Sequence, residues 1–252
     1  MNKTGVVVVG VAMAAVAGCG ASSSTTGKPQ AGGSSSAAVP ALNGEQAKPA
    51  QQVLADAKSA LFNAQAVHVK GNQTQRGKTQ TIDVQLQGED SAGTIGAGGV
   101  SLNIVKTAGK VYVKAPEQFW AKRVGAAVAP KLANRWLVQD AALAGNVSGI
   151  TLQGIAASLN ASDSPLKPGV AAGQLNGQRT VVLTQQDGST LVIAGTGAPL
   201  PLEITGAGAT RGTLMFTGYG KSQTITAPPG AVSAQQAAKA PSAGTALGAL
   251  RA

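Results

Sequence analysis

Val67-His68-Val69-Lys70 and Ile82-Asp83-Val84-Gln85-Leu86-Gln87 decide the fold, because both stretches alternate apolar and polar residues one by one. A period of two belongs to a half-buried β-strand, whose successive side chains point to opposite faces. The same alternation returns at Leu102 and Ile104, Val111 and Val113, Val181 and Leu183, Leu191 and Ile193, Leu202 and Ile204, and Leu214 and Phe216. Between the runs stand Ala108-Gly109-Lys110, Asn176-Gly177 and Asp187-Gly188, which read as hairpin turns. One wet and one apolar face per strand predicts an antiparallel sheet.

Three helical stretches punctuate the strands. Pro49 opens the first at a position that tolerates proline, and Val53, Ala57, Ala60, Leu61 and Ala64 form its apolar stripe. Pro116 starts a second, in which Trp120, Val124 and Val128 step every fourth residue until Pro130. Thr151 can cap a third, carrying Leu152, Ile155, Ala156 and Leu159 on one face, and Trp136-Leu137-Val138 reads as a short strand between the two. The expected class is α+β: a single curved antiparallel sheet of about 9–11 strands, covered on one face by the N-terminal helix and the two inserted helices.

The ends are of another kind. Residues 1–18 read as a signal peptide, with Lys3 ahead of an apolar run of about 13 residues, short of the ~20 needed to span a bilayer. Val16-Ala17-Gly18-Cys19 then resembles the bacterial lipobox, whose cysteine receives a diacylglyceryl group. Cys19 is the one cysteine of the chain, so no intramolecular disulfide can form. Acylation there would hold the mature protein on the membrane surface, at the extracytoplasmic face. Residues 19–47 are rich in Ser, Gly and Ala and read as a flexible tether. The folded domain is expected over 48–231, and 232–252 as a low-complexity, disordered tail.

Composition excludes more than it assigns. The 252 residues hold 20 Lys+Arg against 10 Asp+Glu, but only two Trp, two Tyr and three Phe, too few for the stacking platforms of single-stranded nucleic acid. The basic excess suits anionic lipid headgroups or wall polymers, or is simply a solvated surface. His68 is the single histidine and reads as a solvated strand residue, with no second His or Cys to complete a metal or catalytic site. Ser164-Pro165-Leu166-Lys167 matches an S-x-x-K pattern, yet its prolines spoil the helix that chemistry requires. Gly206-Ala207-Gly208 lacks the third glycine of a dinucleotide fingerprint, and Glu89-Asp90 reads as a solubilising turn. No cofactor is expected. Phe119, Trp120 and Val124 form the one bulky cluster, either stapling a helix to the sheet or lining the mouth of a cleft.

Several pieces resemble actinobacterial envelope lipoproteins of the LppX/LprG type. They are Val53-Leu54-Ala55-Asp56-Ala57-Lys58 leading into Val67-His68-Val69-Lys70-Gly71, Val111-Tyr112-Val113-Lys114 followed by Phe119-Trp120, and Tyr219-Gly220-Lys221 with Thr226-Ala227-Pro228-Pro229-Gly230. Pro199-Leu200-Pro201-Leu202-Glu203-Ile204 is similar to a late strand of that group and of LolA-like carriers. The resemblance implies an unclosed half-barrel wrapped around helices, with an acyl-chain lipid or glycolipid in its apolar concavity and no catalysis. The residues that would line it are Ile82, Val84, Leu86, Leu102, Ile104, Val111, Val113, Trp120, Val181, Leu183, Leu191, Ile193 and Phe216. This chain departs from the group in its many Ala and Gly, which leaves room for a shallow or filled pocket. The alternative is an envelope scaffold with a filled core that binds another protein; an enzyme is the third class, and no motif supports it.

Overall fold

The structure, a computed structural model, describes residues 40–139, 149–159 and 164–239. In chain order these form α1 (Ala50–Asn63), β1 (Ala66–Gln75), β2 (Lys78–Gln87), β3 (Asp90–Ala97), β4 (Val100–Thr107), β5 (Lys110–Lys114), α2 (Glu117–Val124), α3 (Ala129–Leu132), β6 (Trp136–Val138) and α4 (Leu152–Ser158). There follow β7 (Leu166–Leu175), β8 (Gln178–Gln185), β9 (Thr190–Ala194), β10 (Pro201–Ala207), β11 (Thr210–Thr217), β12 (Val232–Ser233) and α5 (Ala234–Lys239). All described strands join one 12-stranded sheet in the order β12-β6-β5-β4-β3-β2-β1-β11-β10-β9-β8-β7. Two meanders therefore meet at a seam between β1 and β11, and the sheet stays unclosed. The α+β curved sheet is the expected class.

Local chemistry explains the regular part. Ala108 and Gly109 (φ 49° and 71°) and Asn176 and Gly177 (φ 50° and 80°) both adopt the paired positive φ of a type I′ hairpin turn, whose twist matches the flanking strands. Register then aligns the apolar positions. Leu137, Val113, Ile104, Gly93, Val84, Val69 and Phe216 stand in one row. Leu102, Ile95, Ile82, Gly71, Leu214, Ile204, Leu191, Leu183 and Val170 stand in the next. This inner face buries Val53, Leu54, Ala57 and Leu61 of α1, Trp120 of α2 and Leu152 of α4 in a common core. A Cβ at Gly71 or Gly93 would collide with the carbonyl oxygen of Thr213 or of Asp83, so these rows close up backbone to backbone where a side chain is missing. Glycine at such places lets a sheet coil tightly.

Four expectations need correction. The sheet is mixed, because β12 pairs parallel with β6. It reaches that edge after residues 218–231 cross the outer face, where Gln85 Nε2 donates to Lys221 O (3.2 Å) and Thr107 Oγ1 to Ile225 O (3.3 Å). Such a long crossing permits a parallel entry. The sheet also has more strands than the alternation marked. The helix expected from Pro116 to Pro130 is two, since Gly125 (φ 88°) ends α2 and Val124 is left exposed. Finally, folded structure reaches past both expected bounds of the domain, before residue 48 and after residue 231. Asn43 Nδ2 donates to Ala194 O at 2.8 Å and Glu45 is buried, while Ala237 of α5 is fully buried.

The start of α5 is a capping box: Gln236 N donates to Ser233 Oγ (3.1 Å), and Ser233 N to Gln236 Oε1 (2.9 Å). Lys131 Nζ donates to Ala238 O at 3.0 Å from α3. A chain ending at Ala231 is therefore expected to melt several degrees below the full chain, at about 2–4 °C per kcal/mol lost for a domain of this size. Coincident thermal melts by circular dichroism would show that α5 is not docked.

Candidate ligand cleft

The inner face is not filled everywhere. Between α1, the end of α4 and strands β8 to β11 lies a cleft of about 550 Å³. Leu54, Leu159, Leu166, Leu183, Leu191 and Ile204 supply its apolar wall. Gln73, Gln75, Asp187, Ser189 and Thr210 supply hydrogen-bonding groups around it. Volume is created by omission: the register continues Gln73 to Gly212 and Gly212 to Gly206, so two adjoining strands present no side chain there. Gly208 does the same at the rim, where a Cβ would strike the Asp187 carboxylate. That carboxylate is fixed by Ser189 N, which donates to Asp187 Oδ1 at 2.9 Å, and Asp187 N donates to Ser164 Oγ at 2.9 Å.

Of the residues expected to line a concavity, Leu183 and Leu191 border this cleft. Val84, Leu86, Ile104, Val181, Ile193 and Phe216 are each at most 2 % exposed and packed in the core with the helices, and Val111 and Val113 are buried with them. Ile82 and Leu102 are half-buried at its margin. Trp120 is 1 % exposed and takes the stapling position, with Phe119 edge-on at 4.9 Å and Arg123 over the Phe119 ring. Cys19 lies outside the described residues. Sequence reasoning missed Leu54, Leu159, Ile204, Gln73 and Gln75. The signal for the last two was the glycines at 206 and 212, which become a gap in a wall only once the register is known.

The outer face carries the charges. Asp83 receives Lys70 Nζ at 2.8 Å and lies 2.6 Å from His68 Nε2, so His68 is a cross-strand partner on a half-exposed surface. Lys70 and then His68 hold the Asp83 carboxyl below its usual value of 3.8. A depressed carboxylate stabilises the fold above its unfolded pKa and loses that contribution as pH falls through the folded one. The expected outcome is stability that declines below about pH 4, with Asp83→Asn flattening part of that limb in acid titration; the effect is small because the pair is solvated. Ser164 and Lys167 sit in a loop and on β7, not on one helix turn. Among the described residues no three His, Cys, Asp or Glu side chains come together to hold a metal ion. Burial keeps the Tyr219 phenol protonated far above the usual range, and its hydroxyl donates to Pro201 O.

No family model matches the chain, and no curated protein does. Among solved structures it is similar to LprF from Mycobacterium bovis, with 15 % identity, 72 % of this chain and 97 % of that chain covered, and a TM-score of 0.49. It is also similar to the Mycobacterium tuberculosis lipoprotein LppX, with 14 % identity, 70 % and 99 % covered, and a TM-score of 0.45. For MucB the values are 14 %, 71 %, 63 % and 0.36.

Proposed function

We propose that this protein is an envelope lipoprotein, anchored to the extracytoplasmic face of the membrane by a diacylglyceryl group on Cys19, that holds the acyl part of a lipid-like molecule without catalysis. The observation that supports this reading is the cleft. Its volume of about 550 Å³ falls within the usual range of small-molecule sites, about 300–1,000 Å³. Leu54, Leu159, Leu183, Leu191 and Ile204 offer one continuous apolar lining, and Gln73, Gln75 and Thr210 offer polar partners at its border. Such a division suits an amphiphile. The anchor rests on Val16-Ala17-Gly18-Cys19, and no helix among the described residues is long and apolar enough to cross a bilayer.

A second reading, the scaffold with a filled core, is favoured by the packing of Val84, Leu86, Ile104, Val181 and Ile193 against the helices. Mass spectrometry of the full chain extracted from membranes separates the two. The carrier is expected to show a diacylglyceryl increment on the peptide starting at Cys19, a non-covalently retained lipid under native conditions, and saturable uptake of a fluorescent fatty-acyl probe. An acylated chain that retains nothing and takes up no probe supports the scaffold.

A further inference from the structure

The two edges of the sheet are built differently. At one end β12 is two residues long, and α5 packs beside it. At the other end β7 runs for 10 residues and is paired only with β8 among the described strands. The outer side of β7 therefore presents backbone N–H and C=O groups that find no partner among the described residues. Sheet edges are ordinarily blunted by charge, proline, bulges or a covering segment. β7 has charge, proline and a bulge only at its start, in Lys167, Pro168 and a register shift between Leu166 and Val170, while residues 45–47 and α1 pack against the strand. From Gly169 to Leu175 there is no charge and no proline, and Ala171, Ala172 and Gln174 are exposed.

We propose that β7 is a self-pairing edge, through which two copies of this chain join antiparallel about a two-fold axis at Ala172. An axis normal to the sheet keeps facing residues on one side of the pleat, so it must pass midway between a residue and its own copy. Centring it on Ala172 uses the whole stretch between Pro168 and the Asn176-Gly177 turn. Val170 then faces Gln174 of the partner subunit, and Ala171 faces Gly173 of the partner subunit.

Three features single out a second copy as the occupant. At a two-fold axis residues meet their own kind, so a charge near it would meet its like; Gly169–Leu175 carries none, although the chain as a whole is +10. A partner selected by charge would find no handle on this strand. Ala171, Ala172 and Gly173 are also small enough to let the strands close to the ordinary spacing of about 4.7–4.9 Å. The inner-face row ending at Val170 would then run on into the second copy, bringing the two clefts to neighbouring positions on one continuous face.

The test uses the full chain in detergent. Facing residues of an antiparallel pair have Cα atoms about 4.5–5.5 Å apart, within disulfide reach. Ala172→Cys is expected to give a disulfide-linked dimer on mild oxidation. Wild type, whose one cysteine is Cys19, sets the background, and Lys78→Cys on the interior strand β2 is the control. In sedimentation at high micromolar concentration wild type is expected to dimerise, and Ala172→Lys, which places two ammonium groups face to face, to dimerise at least about fivefold more weakly. Wild type that stays monomeric, a dimer untouched by Ala172→Lys, or equal cross-linking from Lys78→Cys would overturn the proposal. None of these outcomes depends on acyl-probe uptake.

Discussion

Replacing Ile193 by lysine is expected to abolish cooperative folding. Ile193 sits on β9 at 0 % exposure, opposite Val181 of β8, which is 1 % exposed, and both belong to the core shared with α1. An ammonium placed there would sit among the apolar side chains of that core. A buried unpaired charge costs several kcal/mol, against a total stability of about 5–15 kcal/mol for a domain. Shedding the proton lessens the penalty, but the lysine stem still does not fit the space of an isoleucine. Circular dichroism at 222 nm during heating checks this. A cooperative melt within a few degrees of wild type would mean that the β8–β9 face opens on solvent. Ile193→Ala, expected to cost about 2–5 kcal/mol while still folding, provides the calibration.

Ile204→Trp is expected to have the opposite profile, a fold that survives and a cleft that does not. Ile204 on β10 is half-buried, packed on one side by the row Leu214–Ile204–Leu191 and bordering the cleft on the other. The larger indole can turn into open volume, so the overpacking penalty stays at the low end of about 1–3 kcal/mol. It fills the space an acyl chain would take, and uptake of the fluorescent fatty-acyl probe is expected to fall about tenfold or more, equivalent to about 1.4 kcal/mol. Titration of the probe against wild type and variant reads this directly. Unchanged uptake would locate the acyl chain elsewhere on the protein.

What could be read from the sequence follows from what is local. The alternation of Val67–Lys70 and Ile82–Gln87 and the Asn176-Gly177 turn each act over a few residues, so strands and hairpins were legible. The cleft was not, because it depends on Gly206, Gly212 and Gln73 meeting across three strands. In the one-dimensional chain those glycines look like loop material. Most apolar strand residues expected to meet a ligand are packed in a common core with the helices instead; alternation tells which face is dry, not what covers it. At the C-terminal end, composition outweighed a short motif. Ser233 and Gln236 have the capping-box spacing, but the Ala and Gln around them read as low complexity, and it is the distant α3 and β6 edge that give Ala237 something to be buried against.

The seam between β1 and β11 also sets the order in which this protein can assemble. Every other antiparallel pairing joins strands that follow one another in the chain, whereas the seam closes a loop that spans both meanders, as in the bond from Gln75 Nε2 to Thr210 Oγ1 across 135 positions. Loop closure of that length must be met before its contacts return any stability, and such topologies fold slowly. A chain delivered N-terminus first would complete β1 to β6 while β1 still waited for its second neighbour. During that interval Val67, Val69 and the free side of β1 would be exposed to any other unfinished chain. The rate-limiting step is expected to be the docking of two preformed half-sheets, and the waiting half is the species most open to aggregation.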